Sequence, residues 1–240
     1  MELYSKEDCQ EDDSTVKTWV AWGLWLGFIV YAFGFSPPDQ ADTVSLIQAL
    51  ASGQWQGINP LIVALFNIMG LWPMIYASVL LIDGSGQRFP AWPFVLGSFA
   101  VGAFALLPYL GLRRPNPSFS GTKSKLLAVV DSRWTGAAIA LGVFILLGYG
   151  CLTGDWGDFV QQWQTSRFIH VMSLDFCLLC LLFPALLGDD MARRGLTARW
   201  IVWAVTFTPL VGPSLYLALR PPLQESSPEP SSQPPVTSPS

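Results

Sequence analysis

Long apolar runs separated by short polar segments dominate the chain. Each run approaches the 20 or so residues that a helix needs to cross a hydrocarbon core of about 30 Å. Tryptophans stand at the ends of several runs, as in the aromatic belts of membrane proteins. The pattern predicts an all-α polytopic membrane protein with six transmembrane helices, at roughly residues 17–34, 61–82, 94–112, 134–152, 168–187 and 200–219.

Shorter patterned segments lie between these runs. Asp42 is followed by TVSLIQALASGQW, which is typical of an N-capped amphipathic helix lying at the membrane surface, and GDWGDFVQQWQTS before the fifth run has the same character. Residues 1–16 form an acidic, polar tail before the membrane domain at 17–220. Residues 221–240 are rich in Pro and Ser, so we predict a disordered tail there.

Composition narrows the class of protein further. Half of the residues are hydrophobic and 12% are charged, whereas soluble domains carry about twice that charge density. The net charge of −4 comes without a basic cluster, which argues against a nucleic-acid partner. Four dispersed cysteines and a single histidine predict neither a disulfide framework nor a metal site. The acidic N-terminus is unlike a cleaved signal, so we expect the first run to act as an uncleaved one.

The two halves of the sequence resemble each other. At a shift of 107 positions Asp83 aligns with Asp190, and YLGLRRP at 109–115 aligns with YLALRPP at 216–222, with five of the seven positions identical. Because each half contains three predicted spans, the second half would cross the membrane in the opposite sense. We therefore predict two inverted three-helix repeats, at about 17–115 and 134–222, a plan found in several transporters.

Asp175 is the strongest candidate for a functional residue. It lies about 10 Å below the membrane surface in the fifth predicted span, where an aspartate costs about 2.5–3.5 kcal/mol and must face protein or water. Asn67 reaches a similar depth from the second span, so we predict a polar pair of Asp175 with Asn67 between the repeats. A hydrogen-bonded structural role for Asp175 is the open alternative.

His170 lies about 140° around the same helix from Asp175, so the two do not form a single acid–base dyad. Its position near the membrane surface favours a hydrogen-bonded anchor over a metal or haem ligand. Cys177 and Cys180 have the spacing of a redox motif, but their apolar setting favours packing. No catalytic constellation or nucleotide motif is present in the sequence.

Charged residues also mark the turns that follow the second and fifth spans. We expect them to be solvated, although the compact DDMARRG turn could instead recognise a lipid headgroup or a protein partner. The residues are Asp83, Asp189, Asp190, Arg193 and Arg194. Lys and Arg number eight on the side that holds the loops after the first, third and fifth spans, and five on the side of the tails. The positive-inside rule then places both tails away from the cytoplasm or stroma.

The segments IHVMSLDF, GDDMARRG and FTPLVGPSLYLALR carry a family resemblance. From its first span to Arg220 the chain resembles an uncharacterised family of multispan membrane proteins of cyanobacteria and plastids. Its last two predicted spans are also distantly similar to those of the plastid protein required for neoxanthin synthesis. The resemblance implies a thylakoid or plasma membrane of a photosynthetic cell, and a carotenoid or chlorophyll as ligand. The absence of a transit peptide favours a bacterial protein.

Three functions follow from these observations. The first is a non-enzymatic protein of a photosynthetic membrane that acts in assembly, pigment handling or organisation of a membrane protein complex. The second is a small inverted-repeat transporter with Asp175 and Asn67 in its path. The third is a carotenoid- or lipid-modifying enzyme in which His170 or Asp175 transfers a proton.

Overall fold

The computed structural model describes residues 2–119 and 124–223, with side chains from Val16 onward; most of the predicted C-terminal tail lies outside this range. The described residues contain helices and no strand, which confirms the all-α prediction. The helices are α1 (Glu2–Gly34), α2 (Thr43–Ser52), α3 (Pro60–Asp83), α4 (Trp92–Val101), α5 (Ala103–Leu112), α6 (Lys125–Val130), α7 (Arg133–Thr153), α8 (Trp156–Thr165), α9 (Arg167–Leu182), α10 (Pro184–Arg193), α11 (Arg199–Phe207) and α12 (Val211–Leu219).

Four helical stretches are long and apolar enough to cross a bilayer. They contain 19 to 27 residues, which corresponds to about 28–40 Å at 1.5 Å per residue. The last of them consists of α9 and α10, which continue one another through Phe183. The stretches are Val16–Gly34, Pro60–Asp83, Arg133–Thr153 and Arg167–Arg193. Their length and composition are those of an integral membrane protein, as the sequence predicts.

The third predicted span is a helical hairpin, which we call hairpin 1. Helices α4 and α5 are joined by Gly102, whose φ of 53° favours glycine. The rings of Phe94 on α4 and Tyr109 on α5 lie 5.4 Å apart, so the two helices run side by side. Arg113, just after α5, pairs with Asp83 at the end of α3. The chain therefore leaves this region at the same end at which it entered, and each ten-residue arm covers only about 15 Å.

The sixth predicted span folds in the same way, and we call it hairpin 2. Helices α11 and α12 are separated by residues 208–210, where Leu210 has a φ of 66°. Arg220 after α12 pairs with Asp190 on α10, and Arg194 donates to the carbonyl oxygen of Pro221. The structure therefore does not confirm the prediction of six spans: the described residues contain four helical stretches long enough to cross a bilayer, besides the two hairpins. An apolar run long enough for one crossing helix also fits two half-length helices, and hydropathy does not distinguish them.

The four long helices run between two chemically different ends. At one end, α2 and α8 pack beside the first turns of α3 and α9, through Leu50, Ile62 and Ile169 among others. We call this the α2–α8 end. At the other end lie Asp83, Asp190 and their arginine partners, and we call it the charged end. Both hairpins begin and finish at the charged end.

Each half of the chain therefore contains two long helices rather than three. Helix α1 ends at the α2–α8 end, because the residues after it meet the start of α9: Arg167 donates to the carbonyl oxygens of Pro37 and Pro38. Helix α3 returns to the charged end, and α7 and α9–α10 repeat this path. An even number of crossings would bring the second half back in the same sense, so the structure does not confirm the prediction of inverted halves.

Close packing of the helices stabilises this fold, because moving an apolar side chain from lipid into the protein gives no hydrophobic driving force. An aromatic cluster of Trp72, Tyr76 and Phe183 lies between α3 and α9, and the Tyr76 hydroxyl donates to the carbonyl oxygen of Leu179 at 2.7 Å. Gly136 on α7 brings that helix onto the backbone of α12, where an added Cβ would meet the Leu217 carbonyl at 2.5 Å.

Candidate functional site

Asp175 lies about a third of the way along the membrane-crossing helix α9–α10 and is 5% exposed. It lies two helical turns beyond Arg167, which is at the α2–α8 end, and this places it about 12 Å along the helix. Since the midplane of a bilayer core lies about 15 Å below its surface, Asp175 is close to the depth of the midplane.

The tip of hairpin 1 contacts Asp175 directly. The backbone N–H of Ala103, the first residue of α5, donates to Asp175 Oδ1 at 2.8 Å. A helix N-terminus carries a partial positive charge, so it stabilises a carboxylate at this position. A Cβ on Gly102 would lie 1.7 Å from Asp175 Oδ2, so the contact requires glycine. Gly102 was not among the residues predicted from the sequence, although a glycine inside an apolar run, with Pro108 beyond it, was an available signal.

A cavity of about 450 Å³ leads from this carboxylate to the α2–α8 end. Its walls are mainly apolar and include five phenylalanines from four parts of the chain: Phe33, Phe66, Phe99, Phe104 and Phe168. Asp39, Thr43 and Arg167 line its outer part, where Arg167 pairs with Asp39 at 2.8 Å. Asp175 Oδ2 receives no hydrogen bond from any described residue. The site therefore offers one unpaired acceptor inside an apolar cavity.

Asn67 does not join this site. Its side-chain amide donates to the carbonyl oxygen of Val63, one turn earlier in α3, at 2.8 Å. The predicted pair of Asp175 with Asn67 is therefore wrong. The tip of hairpin 1 occupies the position beside Asp175 that the prediction assigned to Asn67, and this was not foreseeable while hairpin 1 was interpreted as a crossing helix.

His170 lies one to two turns before Asp175 and is held by other groups. Its Nε2 is 2.9 Å from the Tyr31 hydroxyl and its Nδ1 is 2.9 Å from the carbonyl oxygen of Trp163. Because a carbonyl only accepts, Nδ1 is assigned the proton and Nε2 accepts from Tyr31. The imidazole also stacks on the Trp163 ring at 4.3 Å. Both ring nitrogens are engaged in joining α1, α8 and α9.

The described cysteines do not form a second candidate site. Cys151, Cys177 and Cys180 are free, and Cys177 is exposed on the outer surface of α9. Cys9 lies outside the described side chains. Within residues 16–119 and 124–223, no three His, Cys, Asp or Glu side chains are grouped so that they could hold a metal ion.

Asp83 is the centre of one half of a buried ionic cluster at the charged end. It is 0% exposed, and it accepts hydrogen bonds from the Tyr109 hydroxyl at 3.0 Å and from Arg113 Nη2 at 2.7 Å. Arg193 Nη2 donates to the same carboxylate at 2.6 Å. Arg113 also pairs with Asp189. Burial opposes the charged form of Arg113, but its bonds to Asp83 and Asp189 outweigh this and raise the pKa of its guanidinium.

Asp190 is the centre of the other half of the cluster. It accepts from the Tyr216 hydroxyl at 2.7 Å, from Arg194 Nε at 2.9 Å and from Arg220 Nη1 at 3.0 Å. Asp131, just before α7, pairs with Arg194 at 2.6 Å and with Arg220 at 3.2 Å. Asp83 with its tyrosine and arginine thus has the same contacts as its aligned counterpart Asp190 in the second half.

The prediction that these turns are solvated is wrong for Asp83, Asp190, Arg193 and Arg194, which are all buried. Among the described residues their charges balance, because four arginines meet four aspartates within the cluster. The folding back of both hairpins creates these pairs, since it returns Arg113 and Arg220 to the end at which Asp83 and Asp190 lie. The DDMARRG turn therefore uses its charges inside the protein, and the headgroup alternative gains no support.

Comparisons with known proteins give no relative for this arrangement. No protein-family model, no curated protein and no solved structure matches the chain. The membrane class of the protein consequently stands on its four long apolar helices, and the family resemblance of its sequence remains a prediction.

Proposed function

We propose that this protein binds an apolar membrane molecule in the Asp175 cavity and acts, without catalysis, in pigment handling in a photosynthetic membrane. The observation that carries the proposal is the unpaired Asp175 Oδ2 in an apolar cavity of about 450 Å³, a size typical of ligand sites. The ligand needs an apolar body and one hydrogen-bond donor. A hydroxylated carotenoid end ring has this chemistry, and the family resemblance supports a thylakoid or plasma membrane setting.

Purification in mild detergent tests the proposal, through an absorption spectrum and mass spectrometry of the organic extract. Gly70 lines the cavity, and an added Cβ there meets nothing within 4 Å, so Gly70→Leu fills the cavity without displacing its neighbours. Gly148→Leu is the matched control, because Gly148 also has open space around it but lies on α7, outside the cavity. We expect Gly70→Leu to bind the ligand about tenfold more weakly than the wild type, equivalent to about 1.4 kcal/mol of binding free energy.

Retention of one apolar compound by the wild type and by Gly148→Leu, but not by Gly70→Leu, would support the proposal. Equal content in all three proteins, or no pigment or other apolar ligand in any of them, would contradict it. Unchanged pigment content and photosynthetic complexes in a deletion strain, under several light regimes, would refute the photosynthetic part alone.

A transporter is the second candidate, because a half-length helix begins at a buried acid near the midplane. Transporter sites commonly combine broken helices with a cavity that opens to one side. Here the cavity reaches only toward the α2–α8 end, while the cluster of ion pairs closes the charged end. Asn67 is no longer part of this path. The third alternative, a modifying enzyme, gains no support from His170, whose ring nitrogens are both engaged.

Proton flux into liposomes that contain the purified protein, followed with a pH-sensitive dye, separates the two candidates. A transporter that uses Asp175 as its proton site predicts flux in the wild type and its loss in a folded Asp175→Leu variant. A Leu variant that is folded, more stable and still active would exclude this function, as would a wild type without flux.

We also propose that the two halves are repeats that run in the same sense. Helices α3 and α9 begin at Pro60 and Arg167, and helices α4 and α11 begin at Trp92 and Arg199, so both pairs keep the shift at which the two halves of the sequence align. The matching contacts around Asp83 and Asp190 support the same relation.

The distribution of positive charge supports an orientation for this arrangement. Arg167 is the one Lys or Arg that the structure describes at the α2–α8 end, and the others lie toward the charged end. The positive-inside rule then favours a charged end, and with it both tails, on the cytoplasmic or stromal side. This orientation is the reverse of the one that six spans imply.

A further inference from the structure

Hairpin 2 has a cavity between its two arms. A cavity of about 370 Å³ lies between α11 and α12, with apolar walls that include Ile201, Val205 and Leu215. Arg220 and Tyr216 line it near the charged end, and Thr208 and Gly212 line it at the hairpin tip. This cavity is separate from the Asp175 cavity, and its role is independent of the function proposed above.

A ring fills the corresponding space in hairpin 1. Phe94 on α4 lies against Tyr109 on α5, with ring centroids 5.4 Å apart. Their aligned counterparts in the second half are Ile201 and Tyr216, both of which line the cavity of hairpin 2. The cavity therefore lies where the smaller isoleucine replaces a phenylalanine.

Arg220 presents a second difference between the hairpins. Its counterpart Arg113 donates from both Nε and Nη2 to Asp83, at 2.9 and 2.7 Å. Arg220 binds Asp190 through Nη1, and the carbonyl oxygen of Ser78 through Nη2, but its buried Nε–H has no acceptor among the described residues. An unpaired buried donor is costly, so an acceptor from outside the chain would stabilise it.

From these two differences we infer that hairpin 2 holds a glycerolipid, with one acyl chain between α11 and α12 and an ester carbonyl oxygen at Arg220 Nε. A neutral ester matches the site, because Arg194 and Arg220 are already balanced by Asp131 and Asp190. An ionised headgroup at this buried position would add an unbalanced charge.

The dimensions of the hairpin agree with a lipid standing in one leaflet. Helix α12 has nine residues and is about 14 Å long, so the cavity spans roughly half of the hydrocarbon core. Trp200, which lines the cavity at its outer end, is 70% exposed and belongs to the depth of the membrane surface. Ester groups of glycerolipids lie at that depth, which is also the depth of Arg220.

Ile201→Phe tests the inference, because it introduces into hairpin 2 the ring that hairpin 1 carries. The full-length protein is delipidated in detergent and mixed with a diacyl phosphatidylcholine or with its diether analogue, which lacks the carbonyl oxygens. Native mass spectrometry then measures the lipid retained. We expect the wild type to retain the diacyl lipid about tenfold better than the diether, as a hydrogen bond to a charged group implies.

Ile145→Phe is the control, since Ile145 is an exposed residue on α7 and gains the same ring outside the cavity. It should retain the ester preference, whereas Ile201→Phe should lose it while unfolding at the wild-type temperature or above. Equal retention of ester and ether lipids by the wild type would overturn the inference. An ester preference that survives Ile201→Phe would overturn it as well, because the lipid would then bind elsewhere.

Discussion

Replacement of Asp83 by asparagine should destabilise the protein strongly, although Asp83 lies far from the Asp175 cavity. The substitution keeps the shape of the side chain and an acceptor for Tyr109, but it removes a buried negative charge shared by Arg113 and Arg193. Arg113 would retain Asp189 as its carboxylate partner, whereas Arg193 would retain the Asn116 carbonyl oxygen and the more distant carboxylate of Asp190, 3.8 Å away. Removal of one partner from a buried ion pair costs about 3–5 kcal/mol.

Thermal unfolding in detergent, followed by tryptophan fluorescence, measures this loss. For a protein of this size 1 kcal/mol corresponds to about 2–4 °C, so Asp83→Asn should lower Tm by about 6–20 °C. Asp39→Asn is the control: it removes a carboxylate that also pairs with an arginine but is 64% exposed. An exposed pair contributes about 0–1 kcal/mol, so this variant should unfold within a few degrees of the wild type.

Equal Tm values for the two variants would refute the buried ionic cluster. A double variant, Asp83→Asn with Arg193→Gln, refines the test. If the two side chains share one interaction, the double variant should lose less than the sum of the single losses. Additive losses would mean that Asp83 and Arg193 act independently.

Three further predictions concern the packing and the topology. Gly136→Ala should lower the free energy of unfolding by about 1–3 kcal/mol, because its Cβ would meet the α12 backbone at 2.5 Å. Gly148→Ala is the control and should be neutral or stabilising, since its Cβ would meet nothing within 4 Å. Equal effects of the two substitutions on thermal unfolding would contradict the close contact. Gly102→Ala should abolish ligand retention and lower Tm, because both its φ of 53° and Asp175 oppose a side chain; a variant that is stable and still binds would contradict the hairpin tip. Arg88→Cys and Arg114→Cys, each made in a cysteine-free chain, should react with an impermeant maleimide from the same side of sealed vesicles. Labelling from opposite sides would show instead that residues 92–112 form a helix that crosses the membrane.

The class of protein was predictable from the sequence because hydropathy depends on composition alone. The alignment of Asp83 with Asp190 and of Tyr109 with Tyr216 was also visible there, without indicating why these residues recur. The reason is geometric: each aspartate ends a crossing helix, and each tyrosine and arginine returns to it at the base of a hairpin. A run of apolar residues has the same hydropathy whether it crosses the membrane or turns back at Gly102.

The same limitation explains the errors in the candidate site. Helical periodicity predicted the depth of Asp175 and its separation from His170, because both depend only on position within one helix. It could not identify the residue opposite Asp175, since that depends on where hairpin 1 ends. The folding back of hairpin 1 therefore makes Ala103, rather than Asn67, the partner of Asp175. The folding back of both hairpins also buries charges that the sequence predicted to be solvated.

The two hairpin tips differ in a way that bears on why Asp175 is present. At the tip of hairpin 2 the chain bonds to itself: the N–H of Val211 donates to the Pro209 carbonyl, and that of Gly212 to the Thr208 carbonyl. Ile68 is the aligned counterpart of Asp175 in the first half, so a hairpin tip forms in the other half without an acid at that position. The hydrogen bond from Ala103 contributes about 1.5–3 kcal/mol, close to the roughly 2.5–3.5 kcal/mol that an aspartate costs at this depth. The hydrogen bond therefore does little more than offset the insertion cost, so the carboxylate adds little to the stability of the fold. A ligand that donates to the free oxygen in the cavity explains why an aspartate is present.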